Sequence, residues 1–437
     1  MIEGREWPIA VRSIDVSAPL AAITDVSGYP RTRVFVHQAG TLVGSVDIWN
    51  GGGPISATRL RQAISGGLAW PLMRRALETQ LGEQDRPGLE ARATTSDQTA
   101  LRPMSVSVVI ATCNRPDDLR RCLASLRALH TSVPLEIVVV DNRPGGAATH
   151  AVVREFPDVR CIEEPRPGLS YARNAGFIAA TGDIAVAIDD DVTVPQGWLE
   201  RLVAPFSRSE VMCVTGNVLP VTLDTEAQCR FEAYGGLGKG FEPIEAGRDW
   251  FRVWRTAVPT WRLGATANAA FRRSIFSDPR IGLLDEALGA GMPTGCSEDT
   301  YLFYRILKAG YTIVYDPAAW VWHRHRVDRH SLRHQIFSYS KGHVAYQLTT
   351  LMRERDRRAL VRLLYSLPRV YLTRAWERLR GRSEYPLPLI AVEVFGNIAG
   401  PLALWRARRR VRRFGPSVRP QPHAVSVESP VTETSAS

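Results

Sequence analysis

The sequence predicts an α/β protein built on a mostly parallel sheet with helices on both faces. Two observations carry this. From Val106 onward, short apolar runs alternate with segments of helical period in a β-α-β-α-β-α-β order. Asn114, Asp141 and Asp189 fall at the exits of three of those runs, and open sheets of this kind collect ligands at the carboxyl ends of their strands. A small α+β module precedes the sheet, and arginine-rich helices follow it.

Residues 1–81 form the module. Arg33-Val-Phe-Val-His-Gln38 and residues 41–48 read as strands joined at Ala39-Gly40, a hairpin signal. Gly51-Gly-Gly-Pro54 is a loop, and Ser56 opens a helix through about Gln80 with Leu60, Ile64 and Leu68 on one face. The opening residues lack a basic stretch followed by an apolar one, so no signal peptide is expected. Residues 82–104 are polar and read as a linker. In the next unit, 105–330, residues 106–110 are the first strand. A helix begins at Pro116-Asp117 and carries Leu119, Leu123 and Leu126 at helical spacing. Residues 135–140 form a strand ending at Asp141. A short helix, a weak strand at 159–162 and a helix over 171–180 follow. Gly182-Asp183 then turns into Ile184-Ala-Val-Ala-Ile188, which runs into Asp189-Asp190-Asp191.

Three carboxylates at a strand exit cannot all be buried unpaired, because each would carry a large desolvation cost. They face water, a cation or a polar ligand. Hard oxygen ligands suit Mg²⁺ or Mn²⁺, ions that commonly share their coordination sphere with a diphosphate; a solvated turn is the alternative. The turn after the first strand, Ala111-Thr-Cys-Asn-Arg-Pro116, holds no glycine. That excludes the dinucleotide-binding fingerprint, and no P-loop sequence appears. A metal held by aspartates is the natural substitute for a phosphate-cradling glycine loop. The formal net charge of +11 favours acidic partners. The six cysteines are scattered without a CxxC pair, which argues against a zinc site or disulfide framework and fits a reducing compartment.

The segments VSVVIATCNRPDDLRRCLASL, EIVVVDN and GLSYARNAGFIAATGDIAVAIDDD, with GATANAAFRR and SEDTYLFYRILKAGYTIVYDPAAWVWHRHR downstream, resemble the family 2 glycosyltransferases of the GT-A fold. The resemblance covers about residues 105–330. It implies metal-dependent, inverting transfer of a sugar from a UDP-, GDP- or dTDP-sugar to an acceptor hydroxyl, on a glycan or a lipid-linked acceptor of the cell envelope. By position, Ala111, Cys113, Asp141, Arg173 and Asp189 hold the nucleotide. Cys113 stands where family members often carry an aromatic that stacks on the base. Asp189 and Asp191 match the DxD pattern, with Asp191 on the metal, Asp189 nearer the ribose, and Asp190 facing solvent or the sugar. Glu298-Asp299 matches the pair that supplies the catalytic base, a role the resemblance gives to Asp299; read alone, acids in a first helical turn need only the helix dipole. His323 completes the metal or phosphate site, and His325 lies on the same side of its strand. Arg305 orients the acidic cluster. Gly264, Asn268 and the 289–295 loop shape the sugar and acceptor pocket.

Residues 331–415 read as basic helices, with a dense basic run from Trp405 to Phe414. Residues 386–405 approach the length of a membrane span, but Glu393, Asn397, two glycines and three prolines argue against one. This region is expected to lie on an anionic cytoplasmic leaflet or to pack on the catalytic unit. Residues 416–437 are expected to be disordered. Processive members of the family carry a QxxRW motif; Gln335-Ile-Phe-Ser-Tyr339 does not match it, so single-sugar transfer by a cytoplasmic, peripheral enzyme is expected. The competing readings are a sugar-phosphate nucleotidyltransferase and a non-catalytic basic protein that binds lipid or nucleic acid. RNA-reader aromatics are absent, so no nucleic-acid partner is expected.

Overall fold

A computed structural model of the chain describes residues 7–93, 104–143, 145–382 and 385–418. Strands β1 (Ile9–Asp15), β2 (Arg31–Gln38) and β3 (Thr41–Trp49) form the module's sheet in that order. The β2–β3 hairpin was legible; β1, which pairs with β2 in parallel, was not. Helix α1 (Ala57–Ala93) buries Leu60, Ile64 and Leu68. It runs past the expected end at Gln80, through Gly82, Pro87 and Gly88, so the segment read as a linker begins as helix. Residues 94–103 lie outside the described residues, as does the tail from 419.

The central unit carries β4 (Val106–Thr112), α2 (Pro116–Arg127), β5 (Leu135–Asp141), α3 (Ala147–Val153), β6 (Val159–Glu163), α4 (Leu169–Ala179) and β7 (Ile184–Asp189). The chain continues through β8 (Val192–Thr193), α5 (Trp198–Val203), β9 (Val211–Pro220), α6 (Glu226–Tyr234), β10 (Ile244–Ala246) and α7 (Arg248–Arg252). Then come β11 (Asn268–Arg272), α8 (Glu298–Lys308) and β12 (Thr312–His323). The sheet order is β10-β12-β9-β11-β7-β4-β5-β6, with β8 paired to β12. The run β7-β4-β5-β6 is parallel throughout, as the alternation of strands and helices requires. Beyond it the sheet is mixed, because β11 runs antiparallel between β7 and β9.

Strand β7 and most of β4 and β5 are apolar because both faces are covered there. Val106, Val108, Ile110, Val186 and Ile188 pack with Leu119, Leu123 and Trp198 from α2 and α5. On the other face Val109, Val138 and Val140 meet Ala172, Phe177 and Phe303 from α4 and α8. Each such aliphatic side chain contributes about 1.5–3 kcal/mol on burial. This two-sided core holds the carboxyl ends of β4, β5 and β7 in one line.

Helices α9 (Arg329–Glu354), α10 (Arg358–Val361), α11 (Leu367–Leu379) and α12 (Leu387–Phe414) complete the described chain. Gly396 and Gly400 let α12 approach α9 closely; a Cβ at Gly400 would lie 2.6 Å from the Val344 Cβ. Glu393 is buried and paired with Arg374 at 3.0 Å. By length and composition α12 could cross a membrane, yet one face of it packs on the protein. The opposite face exposes Phe395, Ile398, Leu402 and Trp405, one stripe at helical spacing. The module also packs on the sheet: Phe35 and Leu42 cluster with Leu219 and Trp320, and the Phe35 ring meets Trp322 edge-on at 5.4 Å.

Candidate active site

The acidic turn leaves β7 at Asp189 and enters β8. The short β8 pairs with the end of β12, matching Thr193 with Trp322 and Val192 with His323. This ladder sets the His323 Nε2 3.2 Å from Asp191 Oδ1. One ligand atom each from Asp189, Asp191 and His323 lies within 4.8 Å of the others. Asp191 Oδ1 is buried without a well-formed hydrogen bond among the described residues, and Oδ2 accepts from Arg115 Nη1 at 2.7 Å. Burial alone would raise the Asp191 pKa, but His323 and Arg115 hold it below the ordinary carboxylate range. Burial alone would lower that of His323, and the Asp191 carboxylate reverses it, so the histidine pKa is raised. Two hard carboxylates and an imidazole, with an unsatisfied oxygen among them, fit a divalent cation.

Asp190 points the other way. Its Oδ2 accepts from Thr112 Oγ1 at 2.8 Å and its Oδ1 from Arg115 Nη1 at 2.8 Å. It is buried, and burial with the neighbouring Asp191 charge pushes its pKa up to about 7, against the pull of Arg115. The expectation that Asp190 faces solvent or sugar is therefore corrected: it closes the back of the turn.

Arg173 on α4 joins the acidic turn to the second acidic pair. Its Nη2 donates to Asp189 Oδ1 at 2.6 Å, and its Nη1 to Glu298 Oε1 at 2.9 Å and Thr266 Oγ1 at 2.6 Å. Both terminal nitrogens are committed inside the protein, so Arg173 orders carboxylates and presents no open fork to a phosphate or base. Glu298 is buried, and burial together with Asp299 pushes its pKa up to about 7. Asp299 is half-buried; its Oδ1 accepts from the Thr300 backbone N–H at 2.6 Å. Ser297, just before the pair, holds a left-handed φ of 79°, a conformation uncommon for a side chain with a Cβ and typical of functional turns.

At the other end of the crevice, Ala111 is paired with Asp189 by strand register and Cys113 is exposed. Asp141 is buried; its Oδ1 accepts from the Arg143 N–H at 2.9 Å, and its Oδ2 has no partner among the described residues. Beside it opens a cleft of about 410 Å³ lined by Asn114, Arg143, Gly145, Gly146, Ala148 and Thr149. None of the acidic cluster lines this cleft.

Three further expected site residues are scaffold. Asn268 accepts from Trp198 Nε1 at 3.0 Å and donates to the carbonyls of Asn217 and Ala319 at 3.0 and 2.8 Å; it cross-links strands inside the core. Arg305 donates to the carbonyls of Ile281 and Leu283 from a buried position, so it braces that loop and does not orient the acids. Gly264 holds φ +104°, and a Cβ there would lie 2.6 Å from Thr215, a packing requirement. Sequence reading missed Thr112, Arg115 and Thr266. Arg115 alone carried a signal, as the one cation in the turn after the first strand.

Residues 107–278 match the family described as Glycosyl transferase family 2. These residues are a family 2 glycosyltransferase domain. It is an enzyme domain, which displaces the nucleotidyltransferase and the non-catalytic binding readings. The family 2 stretch holds Asp141, Arg173 and the acidic turn; Glu298, Asp299 and His323 lie beyond it, on α8 and β12. The chain is 28% identical over 290 residues to the pre-mycofactocin glycosyltransferase of Mycobacterium tuberculosis, a match covering 63% of this chain and 54% of that protein. It is 29% identical over 231 residues to the succinoglycan biosynthesis protein ExoM of Rhizobium meliloti, covering 50% of this chain and 66% of the relative. The chain thus spans about half the length of the first of these relatives. Among solved structures, the mannosyltransferase PcManGT from Pyrobaculum calidifontis, in complex with GDP-Man and Mn²⁺, aligns with a TM-score of 0.41 and 18% identity. That alignment covers 75% of this chain and 81% of the other.

Proposed function

We propose that the family 2 domain performs inverting, non-processive transfer of a sugar from a nucleotide-diphosphate donor to an acceptor hydroxyl. The observation that carries this reading is the bridge through Arg173, which ties the Asp189–Asp191–His323 cluster to the Glu298–Asp299 pair in one acidic site. Asp191, Asp189 and His323 would hold Mn²⁺ or Mg²⁺, and such an ion neutralises charge on a diphosphate leaving group. The buried Asp141 Oδ2, without a partner among the described residues and close to the cleft at Arg143, supports a role in accepting an N–H from the base. Asp299 is the member of its pair that reaches solvent, so it is the group able to take a proton from an acceptor hydroxyl. Glu298 stays behind it against Arg173.

Beside the exposed stripe on α12, Leu372, Trp376 and Leu379 on α11 are also exposed, and Arg406, Arg409 and Arg413 follow Trp405 on α12 as exposed cations. Apolar side chains rimmed by arginines suit an anionic bilayer surface. This supports a peripheral position on the cytoplasmic leaflet and a lipid-linked or cell-envelope glycan acceptor.

The reading is tested by incubating the full chain with UDP-, GDP- and dTDP-sugars and Mn²⁺. One donor is expected to release its nucleoside diphosphate in a manner abolished by EDTA. Release of pyrophosphate, or identical turnover with and without chelator, would overturn it.

A further inference from the structure

We propose that Arg33 of the N-terminal module is a positioning residue for the metal site, acting through Glu232 and His325 on His323. The inference rests on the metal-dependent reading above. Arg33 on β2 is held by Asp47, with Nε 2.8 Å from Oδ1 and Nη2 3.0 Å from Oδ2. Its Nη1 reaches across to α6 and donates to Glu232 Oε2 at 3.1 Å. The second Glu232 oxygen, Oε1, lies 2.8 Å from His325 Nε2. His325 Nδ1 lies 3.0 Å from His323 Nδ1, and His323 Nε2 faces Asp191.

The order of donors along this chain follows from chemistry. A carboxylate only accepts, so His325 Nε2 carries the hydrogen. A neutral His325 then offers a lone pair at Nδ1. Two ring nitrogens 3.0 Å apart need one hydrogen between them, and it sits on His323 Nδ1. The remaining nitrogen of His323, Nε2, is left as the one whose lone pair can serve a cation. Partners behind a ligating histidine fix its tautomer and ring orientation in this way.

The chain is enclosed. The His325 side chain is fully buried, and the Phe231 ring meets it edge-on at 4.9 Å. Gly236, at φ +52°, leaves the room Glu232 needs; a Cβ there would lie 2.5 Å from Oε1. The module is pinned beside it by separate contacts: the Ile9 N–H to the Leu223 carbonyl at 2.9 Å, Tyr29 to Asp224 at 2.8 Å, and Phe35 against Trp322. A module otherwise without chemistry thus supplies the outer end of a path into the metal site.

The test measures Mn²⁺ affinity of the full chain without donor, by electron paramagnetic resonance of free Mn²⁺, alongside thermal melting without metal. Arg33→Ala and Glu232→Gln are expected to weaken Mn²⁺ by about 10- to 100-fold, the usual effect of removing such partners. Arg33→Lys should restore part of the loss. Phe35→Leu loosens the module without touching the chain of groups, and should lower the melting temperature while keeping Mn²⁺ affinity. The proposal is overturned if Glu232→Gln binds Mn²⁺ within twofold of wild type, or if Phe35→Leu weakens it as much. Wild type failing to bind Mn²⁺ at all would instead reject the metal reading, and this inference with it.

Discussion

Glu298 Oε1 lies 2.9 Å from Arg173 Nη1, with both side chains buried. The same guanidinium holds Asp189. One buried cation therefore balances two acids from different parts of the chain, at the junction of α4, β7 and α8.

Removing that cation should be costly. Above about pH 7, where Glu298 is ionised, Arg173→Ala leaves it buried and uncompensated, and loss of one partner from such a pair typically costs about 3–5 kcal/mol. Urea denaturation of the variant should show a loss in this range. A change below about 1 kcal/mol would mean the acids find water or another partner.

Glu298 also predicts a pH dependence of stability. Its pKa is raised from 4.5 to about 7, by burial first and Asp299 second. Between those values the folded chain holds a proton that the unfolded chain has released, so stability falls as pH rises through the window. Glu298→Gln should flatten that fall by up to about 3 kcal/mol. Asp190, also raised to about 7, adds a slope of the same sign that the variant retains. Equal slopes in wild type and variant, from melting temperatures at pH 5 and pH 7, would contradict the assignment.

Asp299→Asn should retain nucleotide binding within a few-fold and lose turnover by about 10²–10⁴, the usual range for a general base. Steady-state kinetics with calorimetry of donor binding separates the two effects. Turnover at the wild-type level would remove Asp299 from the proposed chemistry.

Asp191→Asn should abolish the stabilisation that Mn²⁺ and a nucleoside diphosphate together confer. Ligand at about 100 times its Kd stabilises by about 2.7 kcal/mol. Wild type should show an upward melting shift that EDTA removes, and the variant none. An unchanged shift in the variant would place the ion elsewhere.

Phe395→Ser combined with Ile398→Ser should reduce co-sedimentation with vesicles containing anionic lipid, while neutral vesicles bind neither form. Both residues are well exposed, at 65% and 70%, so melting should hardly change. Equal sedimentation of the two forms would count against a membrane-facing α12.

Strand runs such as 106–110 and 184–188 were legible because burial on both faces leaves them almost wholly apolar, the buried Ser107 being the one polar residue in the two. The pairing of Asp189 with Asp191, and of Glu298 with Asp299, was legible through motif spacing. Asn268 and Arg305 were misread for one reason: a polar residue type states what it can donate or accept, not where its partner lies. Their partners are backbone carbonyls of Asn217, Ala319, Ile281 and Leu283, which no side-chain pattern records. The parallel partner β1 was hidden by weak alternation. Arg173 was picked out as a site residue, but its bridging role was hidden by the long separation from Glu298, which only the folded sheet closes.

Strand β8 is two residues long, yet it decides which side chain of β12 stands beside Asp191. Because ladder pairing delivers the imidazole, loops between residues 193 and 312 that carry no site residue can change length at little cost to the placement of His323, loop closure growing only slowly with length. A slip of a single residue along β12 is another matter. It would turn Trp322 or Arg324 toward the acids, and the cluster would face an indole or a fixed positive charge in place of a ligand.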